Sequence, residues 1–597
     1  MKSELVREQA VLVTGDHPSI DDGRVGRLLE FFGIPYGTRK ATEFHLQDNA
    51  ARMGVGKCRL VCSAENFAHV FEKLHGALAG SEGFAQRVHS VFLYPTGNIT
   101  ALSELVSRLC GTEISVRKGA ATDTDWCIVD DPGGVCGAMR GLRVRPRPAT
   151  LEGCHVFNAN GSSVTPLIAA GNKAAFLKLT CNSVPVFASS ERLIDIDAGL
   201  ATPNFDVRDH LFSAVPAVSY IRWAFAHSAW RAPEASACLV IDDPLLKARY
   251  GFVRFRELLA LMKQHRFSTS IAFIPWNWRR NDQEVVKLFR DNPESYSLCI
   301  HGCDHTAAEF GTSDRQRLRA VASEAARRMS LHERRTGLAY DRVMVFPQGV
   351  FSAEAIPELK RASFHAVVNT EVHSNPPGER KLRISDVWDV AVMTYGDFPI
   401  YTRRYPAQGV ENLAFDLLLG KPCLMVIHHD FCSDGCERLV QFIDQLNSLK
   451  VPLTWRPLGD VVRRSYRQKE LSPDSVEIEM YGTELRVKNG FDQRKRFIIR
   501  RRDSDPRAVK EIRAESDQIA WHFSKGRIAF EIELNPGESR TVSIKFHDLS
   551  GNGQYRENAG YKVKTLLRRH LSEARDNYFV PTKARLAGIR KVIGNDV

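Results

Sequence analysis

Residues 235–465 contain eight apolar runs of strand length, and stretches with helical periodicity separate most of them. Such a regular succession of strand and helix is what a closed or nearly closed parallel β/α barrel requires. The pattern therefore predicts a barrel of seven or eight strand–helix units over this region. The predicted strands are 237–243, 269–275, 296–302, 342–349, 365–370, 388–396, 423–430 and 452–458.

Residues 1–215 also alternate short apolar runs with helical patterns, as in "AVLVTG" (10–15) followed by "DGRVGRLLEFFGI" (22–34). The alternation predicts a parallel sheet covered by helices, which we interpret as a flavodoxin-like or Rossmann-like α/β accessory domain. The region contains no G-x-G-x-x-G or P-loop motif, so a nucleotide site there has little support.

The chain changes character after residue 470. Short alternating strands separated by glycine and proline turns predict a small β-sandwich over 470–550. The remaining segment, 551–597, includes "GYKVKTLLRRHLSEARDNYF", which has the pattern of a basic amphipathic helix. Such a helix either packs on the barrel or contacts a membrane or a partner.

Polar side chains follow three of the predicted barrel strands, which end in "LVIDDP", "LCIHGCDH" and "MVIHHD". Active sites of β/α barrels lie at the carboxyl ends of their strands. Two imidazoles with one carboxylate suit a catalytic metal that keeps a coordination position open, and a second carboxylate and another imidazole can then move protons. The residues concerned are Asp242, Asp243, His301, His305, His428 and His429.

The order of "IDDP" and "HGCDH" resembles the first two motifs of the polysaccharide deacetylases, carbohydrate esterase family four with the NodB homology domain. More narrowly, "YGFVRF", "SIAFIPWNWRRN" and "LCIHGCDHTAAEF" look like the WbmS-like branch of bacterial surface-polysaccharide (O-antigen) biosynthesis proteins. The resemblance covers roughly 235–465. It implies a distorted (β/α)7-8 barrel of the deacetylase type and hydrolysis of an acetyl amide or ester on a sugar.

The resemblance also implies roles for single residues. Asp242 would be the general base, and either His429 or His428 the general acid, with His429 slightly favoured because it directly precedes an aspartate. A divalent metal, with Zn²⁺ the best match to imidazole and carboxylate ligands, would complete the site. Its implied ligands are Asp243, His301 and His305.

Two motifs of the family are incomplete in this sequence. "FPQG" (346–349) keeps Pro347 and Gly349 of the family pattern R-x-P-x-G, but the arginine is missing, and Arg403 or Arg404 is a candidate replacement. "SDVWD" (385–389) matches the fourth motif only loosely. Aromatic residues near strand ends are expected to stack on the sugar, namely Trp276, Trp278, Tyr395 and Tyr401.

Two other functions stay open at this point. A metal-dependent amidohydrolase acting on a non-sugar amide would use the same ligands and the same base. The missing motif arginine also allows a barrel without catalytic activity, which would bind saccharide as a scaffold. Substrate assays separate the first from a sugar deacetylase, and metal content separates both enzymes from the scaffold.

Composition bears on partners and compartment. The net charge of +12 favours anionic partners such as an acidic polysaccharide or its lipid- or nucleotide-linked precursor, and no nucleic acid partner is expected. "MKSELVREQAVLVTG" lacks the apolar core of a signal peptide, and no run reaches the length of a membrane span. We therefore expect a cytoplasmic protein, with peripheral membrane contact left open. The thirteen scattered cysteines suit reduced thiols.

Overall fold

The structure, a computed structural model, describes residues 9–44, 57–77, 82–158, 164–306, 308–378, 380–547, 555 and 558–580. The predicted tail continues to residue 597, and its part from residue 581 lies outside the described residues. Residues 1–8, where a signal peptide would begin, also lie outside the described residues.

An eleven-stranded sheet with helices against it forms the first region. Its strands are β1 (Ala10–Thr14), β2 (Tyr36–Lys40), β3 (Cys58–Ser63), β4 (Val88–Tyr94), β5 (Ser115–Lys118), β6 (Trp126–Ile128), β7 (Arg143–Val144), β8 (His155–Asn158), β9 (Val164–Ala170), β10 (Lys173–Cys181) and β11 (Val184–Ser189). Its helices are α1 (Ile20–Phe31), α2 (Ala64–Ala77), α3 (Glu82–Arg87), α4 (Ile99–Cys110), α5 (Pro148–Gly153) and α6 (Leu211–Ala224).

This sheet is parallel on one side and antiparallel on the other. Strands β2, β1, β3, β4 and β11 are neighbours in that order and run parallel. Strands β9, β10 and β11 form antiparallel hairpins, whose turns contain Gly171, Asn182 and Ser183, all at positive φ. Positive φ at the central turn residues gives a hairpin the twist of its strands. The flavodoxin-like or Rossmann-like interpretation accounts for the parallel side alone.

An eight-stranded parallel sheet forms the second region. Its strands are β12 (Ala235–Asp242), β15 (Thr269–Phe273), β16 (Tyr296–His301), β17 (Val343–Val345), β18 (Ala366–Asn369), β19 (Ile400–Thr402), β20 (Cys423–Ile427) and β21 (Leu453–Trp455), with a separate hairpin of β13 (Arg249–Tyr250) and β14 (Val253–Arg254). Its helices are α7 (Phe255–His265), α8 (Gln283–Arg290), α9 (Arg315–Thr336), α10 (Ala355–Arg361), α11 (Ile384–Trp388), α12 (Val410–Leu419), α13 (Glu437–Asn447) and α14 (Leu458–Arg464).

The second sheet curls on itself in the order β19–β18–β17–β16–β15–β12–β20, with β21 beside β12. Two backbone hydrogen bonds connect strand β20 to the residue that follows β19 by two positions, and so join the two ends of the sheet. Arg404 N donates to Leu424 O over 2.9 Å, and Val426 N donates to Arg404 O over 3.0 Å. A mixed α/β architecture with a curled parallel sheet fits a deacetylase-type barrel.

The strand predicted at 388–396 is wrong. Residues 384–388 form helix α11, and the sixth barrel strand is β19, further along the chain. Part of the apolar run packs against the interior of the barrel without forming a strand, since Val390, Ala391 and Met393 belong to its core. An apolar run by itself does not distinguish a strand from another buried segment, which explains the error.

Two further sheets form the third region, in the orders β22–β23–β25–β29–β28 and β24–β30–β26–β27. Their strands are β22 (Arg467–Ser472), β23 (Ser475–Met480), β24 (Glu484–Lys488), β25 (Lys495–Arg502), β26 (Val509–Ala514), β27 (Asp517–Gln518), β28 (Trp521–Ser524), β29 (Arg527–Leu534) and β30 (Ser539–Phe546). Side chains of both sheets share one core, with Phe497 and Ile499 from the first and Leu485 and Ile544 from the second. The predicted domain bounds stay predictions.

Helix α15 (Ala559–Ala574) follows and continues as a π-helical turn (Arg575–Phe579). It returns to the barrel, where Tyr561 OH donates to Asp304 Oδ2 over 3.0 Å. None of the helices within the described ranges combines the length and the apolar character that crossing a bilayer requires. All thirteen cysteines are free thiols.

Candidate metal centre

Four strands direct polar side chains into the barrel at its carboxyl end. On β12, Cys238 and Val240 belong to the interior core. Because side chains alternate between the two faces of a strand, Asp242 faces the same interior two residues further on. The same relation holds on three other strands. The polar residues that face the interior in this way are Asp242, His301, Arg403 and His428. Each lies two or four positions after an interior core residue, namely Val240, Cys299, Tyr401 and Leu424 in the same order.

Asp243, His301 and His305 bring one ligand atom each to within 4.8 Å of one another. Nε2 of His301 lies 3.3 Å from Asp243 Oδ1, and Nε2 of His305 lies 3.0 Å from the same oxygen. Asp243 and His305 have φ values of 81° and 53°. Such conformations cost on the order of 1–3 kcal/mol each in residues other than glycine, and they cluster at functional sites.

The donor atoms of this triad are available to a metal. Nδ1 of His301 donates to Val345 O over 3.1 Å, which leaves the lone pair on Nε2. Oδ1 of Asp243 is buried and accepts no hydrogen bond. Burial opposes ionisation of Asp243, yet His305 and His301 hold its pKa well below the usual range. Two imidazoles and a carboxylate with an unsatisfied buried oxygen fit a divalent cation such as Zn²⁺.

A buried carboxylate, Glu309, holds the segment that carries His305. It accepts hydrogen bonds from the backbone nitrogens of Cys303 (2.7 Å), Asp304 (3.1 Å) and His305 (3.3 Å). Burial raises the pKa of Glu309, against the effect of these bonds. The segment that carries His305 packs closely against Glu309, as the space at Gly302 shows. A Cβ added to Gly302 would lie 2.0 Å from Glu309 Oε1. The sequence analysis missed Glu309, since no spacing rule marks it.

Asp242, the candidate base, is paired with Arg403. Nη1 and Nη2 of Arg403 donate to the two oxygens of Asp242 over 2.7 and 2.6 Å, and both side chains are buried. Burial opposes ionisation of Asp242, but the charge of Arg403 outweighs it, so the pKa of Asp242 is lowered. Of the two arginines considered as replacements for the motif arginine, Arg403 occupies this position.

Arg404 points out of the barrel instead. Its Nε donates to Asp416 Oδ2 over 2.6 Å, and its Nη1 donates to Phe205 O over 3.0 Å. Tyr401 is fully buried in the interior and donates to Ser465 O over 3.3 Å. The structure therefore brings neither Arg404 nor the predicted sugar-stacking residue Tyr401 to the site, because alternation along β19 sends Arg404 outward and Tyr401 lies too deep.

The two adjacent histidines face different surroundings. Nδ1 of His428 lies 3.8 Å from Asp243 Oδ2, and its side chain is 43% exposed. His429 is buried, and its Nε2 lies 3.5 Å from Asp576 Oδ1 in the π-helical turn that follows α15. His428 is thus the imidazole that borders the metal centre and solvent together. The side chain of Tyr405, which the sequence analysis also missed, stacks beside His428 at 6.3 Å between ring centroids.

Three further predicted residues, Pro347, Gly349 and Trp276, lie in turns that follow barrel strands. Pro347 is buried and packs against the backbone of Gly302, where an added Cβ would lie 2.5 Å from Pro347 Cγ. Gly349 has a φ of 72°, and its carbonyl accepts a hydrogen bond from Asn369. Trp276 is half-buried and contacts the ring of His570 on α15, 6.2 Å between centroids.

Several solved structures match part of this chain. The similar structures are carbohydrate esterases of family four and related deacetylases. A family four pseudoenzyme from Bacillus anthracis is 14% identical, with a TM-score of 0.24, over 37% of this chain and 64% of its own. The family four domain of a multidomain xylanase from the hindgut metagenome of Trinervitermes trinervoides is 11% identical, with a TM-score of 0.25, over 38% and 89%.

The family four carbohydrate esterase from Streptomyces lividans is 12% identical, with a TM-score of 0.23, over 36% of this chain and 88% of its own. This chain thus spans just under two thirds of the length of the Bacillus anthracis pseudoenzyme, 64%. No protein-family model matches the sequence. A search among curated proteins finds no similar sequence.

Proposed function

We propose that this chain is a metal-dependent deacetylase that hydrolyses an acetyl amide or ester on a sugar of a bacterial surface polysaccharide or its precursor. One observation carries the proposal. The triad of Asp243, His301 and His305 adjoins a second carboxylate, Asp242, that is ionised by its pairing with Arg403. A ligand set and a separate base at one strand end are what water attack on an acyl group needs.

The side chains of the chain divide the proton transfers between them. Asp242 accepts the proton of the attacking water, and its lowered pKa keeps the carboxylate ionised for this role. His428 donates a proton to the departing nitrogen or oxygen, because it is the imidazole next to the triad that solvent reaches. When bound, a divalent cation such as Zn²⁺ would polarise the acetyl carbonyl and lower the pKa of a water molecule.

The decisive experiment measures metal content and acetate release together. Purified wild type should carry about one divalent metal ion per chain and release acetate from an N-acetylhexosamine oligomer. His301→Ala should lose both the metal and the activity. His265→Ala is the matched control, since His265 pairs with Asp444 at the surface and should keep both.

Each other outcome has a distinct meaning. Metal without acetate release from any sugar would move the proposal to a different amide, as in a non-sugar amidohydrolase. No metal in the wild type, even after addition of zinc, would reject enzymatic hydrolysis and leave a saccharide-binding scaffold.

A further inference from the structure

The C-terminal helix α15 and its π-helical turn lie against the rim of the metal centre. Tyr250 OH donates to Asp576 Oδ2 over 2.8 Å, and Gly251 N donates to Asn577 Oδ1 over 2.7 Å. Tyr250 ends β13 and Gly251 lies in the turn between β13 and β14, in the hairpin that follows strand β12. One face of the helix is thereby held at the carboxyl end of the barrel, where substrate must enter.

Two side chains on this face carry buried polar atoms without partners. Arg569 is 7% exposed, and its Nε and Nη1 donate no hydrogen bond among the described residues. Thr565 is 3% exposed, and its Oγ1 has no partner there either. Residues four apart in a helix lie on the same face, so the hydroxyl and the guanidinium are neighbours. Buried donors left unpaired in this way are costly, and a buried charge more so.

The Arg569 guanidinium is within electrostatic reach of the metal centre. Burial lowers its pKa, while the carboxylates of Asp243 and Glu309 and the phenol of Tyr250 oppose that effect. Asp243 is also a candidate metal ligand, so in a metal-loaded site its charge balances the cation. Within the described part of the chain, Glu309 accepts hydrogen bonds from three backbone nitrogens and none from Arg569, so Nε and Nη1 of Arg569 are left for an anion from outside the chain.

We propose that Thr565 and Arg569 form a subsite for a negatively charged group, a phosphate or a carboxylate, on the acetylated sugar. The assignment of the ligand as a sugar rests on the proposed function. A guanidinium matches two oxygens of a phosphate or carboxylate at once, and the hydroxyl supplies a third donor. The hydroxyl oxygens of a neutral sugar can accept hydrogen bonds but leave the charge of Arg569 unbalanced, so the subsite selects for charged substrates.

The test is sugar binding measured by calorimetry, which does not depend on turnover. The ligands are an N-acetylhexosamine 1-phosphate, an N-acetylhexosaminuronic acid and neutral N-acetylhexosamine. Wild type should bind at least one charged sugar about 10- to 100-fold more tightly than the neutral sugar, the size expected for hydrogen bonds to a charged group. The charged sugar that binds more tightly identifies phosphate or carboxylate as the anion.

Variants assign the preference to the subsite. Arg569→Gln should remove it, and Thr565→Val should reduce it several-fold. Arg568→Gln is the matched control, because Arg568 is the next residue on the helix but is only half-buried and should keep the preference. Thr565→Val keeps the proposal testable should Arg569→Gln not fold.

Several results would overturn the subsite. These are equal binding of charged and neutral sugars by wild type, no binding of either charged sugar, or a preference that survives both subsite variants. Acetate assays separate this inference from the proposed function. A charge preference without acetate release rejects deacetylation alone, whereas acetate release with equal kcat/KM for charged and neutral sugars rejects the subsite alone.

The outer face of the same helix supports a second, independent inference. Val563, Leu567 and Leu571 repeat every four residues and are 55%, 56% and 68% exposed, and Phe579 is 72% exposed. Residues at this spacing form one apolar stripe along a helix. Stripes of large exposed apolar side chains mark surfaces that bind a protein partner, a ligand or a membrane.

The charges on the helix indicate what the stripe binds. Lys562 and Lys564 are exposed, while the carboxylates of Glu573 and Asp576 turn toward the barrel. We infer that the outer face of α15 binds the surface of an anionic lipid bilayer. An amphipathic helix with cations beside its apolar stripe inserts shallowly into the headgroup region, and anionic lipid strengthens the contact.

Vesicle flotation tests the membrane contact. Wild type should float with vesicles of phosphatidylcholine mixed with phosphatidylglycerol, and less with phosphatidylcholine alone or at high salt. Replacing Leu567 and Leu571 by glutamate should weaken binding by about a hundredfold, because two apolar side chains no longer insert. Phe523→Glu, at a half-exposed position on β28, should float like wild type.

Wild type that stays with the lipid-free fraction would overturn the membrane contact. So would self-association of wild type that the leucine variants abolish without any vesicle binding, since the stripe would then be an interface between copies of the chain.

Discussion

At the scale of single residues, the protonation of Asp242 depends on a partner 161 residues further along the chain. A carboxylate in a buried site would normally keep its proton, because burial disfavours the charged form. The paired hydrogen bonds from Arg403 reverse this, and the pKa of Asp242 falls below its usual range. Asp242 is therefore ionised, as its proposed role as the base requires.

Replacing Arg403 tests this dependence. Arg403→Ala should lower kcat/KM on the order of 100-fold and move the acid limb of its pH profile to higher pH, because the pKa of Asp242 rises without the positive charge. The kcat/KM of Arg403→Lys should fall between those of wild type and Arg403→Ala, since lysine keeps the charge but loses the bidentate contact. An acid limb at the wild-type pH in Arg403→Ala would contradict the role of Asp242 as the base.

Glu309 acts on the metal site through the backbone. Glu309→Gln should weaken metal binding by about 10- to 100-fold, because an amide is a poorer acceptor for the three backbone nitrogens that orient His305. Metal titration monitors the change, and Glu437→Gln on the exposed side of α13 is the control. Unchanged affinity would show that the segment holds His305 in place without Glu309.

At the scale of elements, helix α15 contributes to the site although it lies outside the barrel. Its attachment uses carboxylates, with Lys247 and Arg280 donating to Glu573. Burial opposes ionisation of Asp576, but hydrogen bonds from His429, Arg575 and Tyr250 hold its pKa at about 2. The docking of this element is therefore sensitive to acid.

The direction of the pH effect follows from the lowered pKa. A free aspartate has a pKa of about 3.9, so Asp576 stabilises the docked helix fully above about pH 4, and its contribution of about 2–3 kcal/mol is lost as the pH falls toward 2. The gap in thermal stability between wild type and Asp576→Asn should be open at pH 7 and should narrow as the pH falls from about 4 to about 2. A gap that does not vary with pH would contradict this linkage.

At the scale of the whole molecule, the first region and the barrel share one continuous core, which extends from strand β1 to the residues after α13. Polar contacts cross the same boundary. Nε of Arg222 on α6 donates to Leu418 O over 2.7 Å, and its Nη2 donates to Leu419 O, so this guanidinium caps the carboxyl end of barrel helix α12. Burial lowers the pKa of Arg222 to about 9.

Removing the contacts of Arg222 should lower the stability of the first region and the barrel together. Arg222→Met should lower the free energy of the first unfolding transition by about 2–3 kcal/mol, because carbonyls at the buried helix end lose their donors. Arg231→Ala, which breaks a partly exposed pair with Glu470, should cost less than about 1 kcal/mol. Equal effects of the two variants in a denaturant titration would show that the cap contributes nothing beyond a surface pair.

The sequence by itself determined the features that repeat locally. Alternating strands and helices predicted a barrel, and strand ends carrying Asp242, Asp243 and His301 marked the candidate site, because burial of one face imposes a period that each segment shows alone. The same reasoning failed at 388–396, where an apolar run is buried without becoming a strand.

Only the tertiary structure decided which distant groups meet. Closing the barrel brought Arg403 rather than Arg404 to Asp242, and placed His428 rather than His429 beside Asp243. For the arginines the choice depends on which face of the extended segment after β19 a side chain occupies, and one residue of register reverses it. For the histidines it depends on the helical turn that begins at His429, directly after β20 and His428. The electrostatic interaction of Arg569 with Asp243 depends on how α15 docks, and contacts between segments hundreds of residues apart leave no period in the sequence.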